Sequence, residues 1–140
     1  MFFYLEPEVA GGIGPNSELH REDGRLVVAK LNYQFDGWLG DALLETVACF
    51  IVTDAARQLI EDAALTGVSF SDVEVTRSDL FIDLYGDKAL PSFWWMIVAG
   101  KPEVDDFGMA SDLRLIASER ALALLRSVGL AHAEVQPVGD

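Results

Sequence analysis

Cysteine is almost absent: Cys49, inside the apolar run VACFIV, is the only one. A lone cysteine forms no internal disulfide. In such a run it reads as a small buried hydrophobe rather than a nucleophile. A reducing, cytosolic compartment fits that usage. Histidine is nearly as scarce, with His20 and His132 alone. A structural zinc site needs about four ligands, mostly Cys or His at short spacing, and this chain cannot supply them. Neither histidine lies in a motif that activates a nucleophile. Basic residues are few: 10 Lys and Arg stand against 23 Asp and Glu, a formal net charge of −13. The acids are spread along the chain, 11 against 4 bases in residues 1–70 and 12 against 6 in residues 71–140. Such a surface repels phosphate backbones and anionic bilayers, which argues against nucleic acid and membrane as partners. No run approaches the ~20 apolar residues of a membrane span. The start, MFFYLEPEV, lacks the basic region of a signal peptide.

What is present is apolar matter in quantity. Hydrophobic residues make up 51% of 140 positions, enough for a sizeable core in a single domain spanning 1–140. MFFYLEP reads as a first strand, and EVAGGIGPNSELHREDG as a turn-rich loop. RLVVAKLNYQFD alternates, with Val27, Ala29, Leu31, Tyr33 and Phe35 on one face and Lys30, Asn32, Gln34 and Asp36 on the other. A short helical turn is expected from Asp41. DLFIDLYG reads as another alternating strand, with Leu80, Ile82 and Leu84 inward, and SFWWMIV as a strongly apolar one that sends Trp94 and Trp95 to opposite faces.

Two stretches share one grammar. In FIVTDAARQLIEDAALTGVSFSDVEV, a strand leads to Thr53 as helix cap, Asp54 at the positive helix end, an apolar helical face, a stop at Gly67 and a returning strand. In LIASERALALLRSVGLAHAEVQPV, Ser118 and Glu119 open the helix and Gly129 closes it, with His132 in the last strand. Leu59, Ile60, Leu124 and Leu125 are expected to be buried against a sheet. Strands outnumber helices and short turns join most of them. The expected fold is therefore α+β, a single domain with a largely antiparallel or mixed sheet and two main packed helices. Capped helices between strands look alike on physical grounds, so duplication is not implied.

Catalytic signatures are thin. AGGIGPNS lacks both the Lys-Ser/Thr of a phosphate loop and the GxGxxG spacing, so no nucleotide cofactor is implied. Adjacent Asp105 and Asp106 point to different sides and make a poor cation site, so no metal is expected. Paired carboxylates are abundant by composition alone. Two Gly-bounded acidic stretches with aromatics stand out as partner-binding surfaces instead. One carries Asp36, Trp38, Asp41 and Glu45, and the other Glu103, Asp105, Asp106 and Phe107. Trp38 reads equally as an exposed anchor or as a lid on the core.

Ser118, Glu119, Arg120, Leu124, Leu125, Gly129, Pro137 and Val138 carry a further signal. Their strand, Ser-Glu-Arg helix start, Leu-rich helix and strand ending near Pro-Val resemble the C-terminal part of bacterial immunity-protein families from polymorphic toxin systems. The resemblance covers roughly the last quarter of the chain and transfers no functional residue. It implies a small cytosolic protein, without catalysis, that occludes a cognate toxin. The negative charge implies that the toxin is basic. Two other readings compete with it. One is a small carboxylate-based or divalent-metal enzyme. The other is an adaptor that forms homo-oligomers through an apolar sheet face.

Overall fold

The structure is a computed structural model that describes residues 1–139. These form 13 strands and three helices. The strands are β1 (Phe2–Glu6), β2 (Gly11–Ile13), β3 (Glu18–Glu22), β4 (Arg25–Lys30), β5 (Asn32–Phe35), β6 (Leu43–Thr46), β7 (Cys49–Thr53), β8 (Val68–Ser71), β9 (Glu74–Arg77), β10 (Phe93–Val98), β11 (Phe107–Met109), β12 (Leu115–Ser118) and β13 (Glu134–Pro137). The helices are α1 (Asp54–Asp62), α2 (Asp79–Tyr85) and α3 (Glu119–Val128). The fold is α+β, and every strand pairing but one named pair is antiparallel, β5 lying parallel to β9.

The two stretches of shared grammar become two sheets of equivalent topology. One is ordered β6-β7-β10-β8, the other β11-β12-β1-β13. In each, a capped helix connects two strands that flank a third, antiparallel to both: β7-α1-β8 around β10, and β12-α3-β13 around β1. The caps match as well, Thr53 accepting from the Ala56 N–H and Ser118 from the Ala121 N–H. Helices α1 and α3 pack on each other. Between the two units sits one core, built of Leu43, Phe50, Val52, Ala56, Ile60 and Met96 from one, and Leu5, Phe107, Leu115, Ala117, Leu122 and Leu125 from the other.

The first sheet is covered on its other face too. Leu44, Cys49, Ile51 and Phe93 meet Tyr33 and Phe35 of β5, with Phe81 of α2, in a second core. A sheet buried on both faces has no polar side, which accounts for the unbroken apolar runs VACFIV and SFWWMIV. Trp94 and Trp95 do go to opposite faces, and each finds a core: Trp94 packs on the first, Trp95 on the second.

Several sequence expectations are corrected. GGI pairs with β5, and ELHRE forms a hairpin with β4 across Asp23-Gly24, both at positive φ, so the turn-rich segment contains two strands. RLVVAKLNYQF breaks at Leu31 into β4 and β5. Asn32, expected outward, is fully buried and donates to the Glu74 carbonyl and Thr76 hydroxyl. The helical turn expected from Asp41 is instead β6. DLFIDLYG is helix α2, because Ser78 caps it by accepting the Phe81 N–H. That winding buries Phe81 and exposes Leu80, Ile82 and Leu84, the reverse of the expected strand faces. α2 is thus a third, shorter helix beside the two main packed ones, α1 and α3. His132 lies in the loop ahead of the last strand. Helix α1 ends at Asp62, before Gly67, and leaves Leu59 38% exposed. On α3, Leu124 is only half-buried while Leu125 is fully buried.

Replacing Leu125 by Ala should cost ~2–5 kcal/mol in urea unfolding, as expected of a filled core site. Leu59→Ala should cost below about 1 kcal/mol. Equal losses at the two sites would contradict this assignment of the helical faces.

Candidate partner-binding surface

The two acidic stretches divide between surface and interior. Asp36 and Glu103 are exposed, and Glu45 and Asp105 are half-buried. Burial, and then the nearby Glu6, push the Glu45 carboxyl up. Asp105 accepts from the Lys101 N–H and so shapes its own loop. Trp38 is half-buried and stands edge-on to Phe93, with ring centroids 6.0 Å apart. Its indole N–H donates to the Asp41 carbonyl at 2.9 Å. It is the lid on the second core rather than a free anchor.

Asp41, Asp106 and Phe107 are corrected outright as surface residues, since all three are buried. Phe107 belongs to the first core. The two aspartates do equivalent work. Asp41 precedes β6 and accepts the N–H groups of Ala131 and His132, in the α3–β13 loop, at 2.9 and 2.8 Å. Asp106 precedes β11 and accepts the Thr66 N–H, in the α1–β8 loop, at 2.9 Å. Each residue that follows donates its own N–H across the same junction, Ala42 to the Gly129 carbonyl and Phe107 to the Thr66 carbonyl. Each unit thus holds the helix-to-strand loop of the other.

Asp106 also accepts from the Ser118 hydroxyl and from two nitrogens of Arg120, at 2.9 and 2.7 Å. The Arg120 guanidinium, more than any other neighbour, holds the Asp106 carboxyl well below the usual carboxylate range. Asp41 has different company. His132 sets Nδ1 at 3.1 Å from it, and buried Glu8 completes a trio with donor atoms within 4.8 Å of one another. Such a trio has ligands for a divalent ion. All four carboxylate oxygens, however, already accept a backbone N–H, from Leu39, Asp41, Ala131 and His132. The arrangement is that of a clamp on two loops.

The clamp fixes what stands beside it. Glu8 holds the Leu39 N–H at 2.7 Å, and Leu39 turns its side chain outward, 64% exposed. Helix α2 lies against this loop: Lys88, just past the helix, donates to the Trp38 carbonyl, and Gly37 sits close under the Tyr85 ring. On α2, Leu80 is 53% and Leu84 63% exposed, with Ile82 and Tyr85 also open to solvent. Asp79, Asp83 and Asp87 are interleaved with them. Leu80, Asp83 and Leu84 follow the i, i+3, i+4 spacing of one helical stripe, and Asp87 lies just past the helix end at Gly86. Apolar side chains ringed by acids form this surface, with Arg77 and Lys88 as the bases beside it. Of the eight anticipated residues, Asp36 and the half-buried Trp38 border it. The helix itself was missed. Its signal was the Ser78-Asp79 pair, the same cap-then-acid start as Thr53-Asp54 and Ser118-Glu119.

No protein-family model matches the chain, and no curated protein matches it.

Asp106→Asn should lower stability at pH 7 by roughly 2–4 kcal/mol, the loss expected when a buried, ion-paired carboxylate is neutralised. The folded-state pKa is depressed, so the carboxylate stabilises the fold above the unfolded value near ~4, and that contribution fades as pH falls below it. The gap between wild type and variant should therefore narrow in acid unfolding curves below about pH 4. A constant gap down to pH 2 would refute the assignment.

Proposed function

We propose that this chain is a non-catalytic binding module of the immunity-protein kind, which captures a basic toxin by occluding its surface. The carrying observation is the outer face of α2, where leucines without intramolecular cover alternate with aspartates next to the Asp36–Leu39 loop. An interface needs desolvated apolar anchors at its centre and charge at its rim. This stripe supplies both, on a helix fixed to the core by Phe81. The net charge of −13 supplies long-range attraction for a cationic partner and speeds encounter. Contiguous exposed apolar patches rimmed by polar residues mark interaction sites.

The test is binding kinetics against the toxin domain encoded beside this gene. A Leu80→Ser/Leu84→Ser pair should raise the off-rate by at least about tenfold, because both side chains leave the interface centre. Neutralising Asp79, Asp83 and Asp87 to Asn should lower the on-rate and flatten its salt dependence. Circular dichroism confirms folding in each case. Unchanged kinetics in both folded variants would reject this face. A neighbouring gene that encodes no toxin would reject the immunity reading itself.

A further inference from the structure

A cleft of about 540 Å³ opens between the β3–β4 hairpin and the ends of β7 and β10, away from the residues of α2. Its walls are apolar, with Leu26 from the hairpin, Trp95 from β10, Met109 from β11 and Leu113 from the following turn. Leu26 and Leu113 are exposed apolar side chains that would otherwise lack cover. Leu113 has φ +70 and Ala48, also on the wall, φ +58. Both lie in the left-handed region that side chains with a Cβ seldom occupy, and such departures collect at ligand sites.

The polar end of the cleft is cationic. Arg21 supplies it from the Leu26 face of the hairpin, Arg25 bordering the cleft from the opposite face across from Glu22, and no acid lines the cleft among the described residues, although acids outnumber bases 23 to 10 in the chain. Arg21 shares a hairpin face with Leu26, its cross-strand partner, and its guanidinium is steadied by the Gly24 carbonyl. An apolar hollow of ligand size with a few fixed polar groups at one end is the usual form of a small-molecule site. Guanidinium groups select carboxylates.

We propose that this cleft binds a free amphipathic carboxylate, its hydrocarbon part against Trp95, Met109 and Leu113 and its carboxylate at Arg21. The strong net negative charge keeps the protein off anionic bilayers, so the ligand comes from solution rather than from a membrane surface. The site is independent of the α2 face and of the function proposed for it.

Calorimetric titration with submicellar sodium decanoate tests this, with decylammonium chloride as the matched cation. Decanoate should bind one per chain, and decylammonium at least about tenfold more weakly. Arg21→Gln, a change on an exposed hairpin, should weaken decanoate by a similar factor. Trp95→Phe should abolish the ligand-induced change in tryptophan fluorescence while calorimetric binding persists. Four results would overturn the proposal: no binding of decanoate, equal binding of the amine, unaltered affinity in Arg21→Gln, or a fluorescence change that survives Trp95→Phe. Concentration-dependent dimerisation abolished by Leu113→Asp would assign the cleft to a second copy of the chain and overturn it as well.

Discussion

Two buried aspartates hold the molecule in register with itself. Asp41 and Asp106 stand at matching places in two topologically equivalent units, and each grips the backbone of the loop that leaves the other unit's helix. A buried carboxylate is tolerated only where its oxygens are met by donors, so each aspartate fixes several groups at once. The grip is reciprocal, and neither unit can shift without breaking bonds at both junctions. The packing of α1 on α3 and the shared core follow from that constraint.

The parts outside the paired units carry the candidate surfaces. Residues 11–35 and 74–92 contribute the hairpin, the small β2-β5-β9 sheet and α2. The small sheet and α2 cover the free face of the β6-β7-β10-β8 sheet through Tyr33, Phe35 and Phe81. Once that sheet is buried on both sides, the residues that cover it have outer faces of their own. Leu80 and Leu84 are on one of them, and the hairpin walls one side of the cleft. The frame and the α2 face are thus separated along the chain, whereas the cleft takes Trp95 and Met109 from the frame. The repeated grammar builds the frame, and the unrepeated segments present side chains to solvent.

Much of the frame was legible because it rests on local chemistry. The Thr53 and Ser118 caps and the helical spacing of Ile60 and Leu125 belong to single segments that declare themselves. The α+β class followed from those segments. What escaped was decided by tertiary contacts or by competition between two periods. In DLFIDLY, a strand period and a helix period both fit, and the Ser78 cap with the burial of Phe81 decided for helix. Asp41 and Asp106 read as solvated acids because nothing local reveals that loops some 90 and 40 residues away deliver N–H groups to them. Their aromatic neighbours misled in the same way. Phe107 is core because β11 joins a sheet, and Trp38 is a lid because Phe93 lies beneath it.

Among the described residues the β3–β4 hairpin pairs with no other strand, so both of its outer edges offer unpaired backbone groups. Open edges of this kind are where chains stack edge to edge into aggregates. Along these edges Glu18, Glu22 and Asp23 are set among Arg21, Arg25 and Lys30, and the segment is neutral in an acidic molecule. Repulsion between whole molecules therefore fades least usefully where two such arms would meet. The protection is local: any register that pairs two arms along β3 must strip water from Glu18, Arg21 or Glu22. The arm keeps its edges free by making their capture costly, and their backbone groups stay open to solvent.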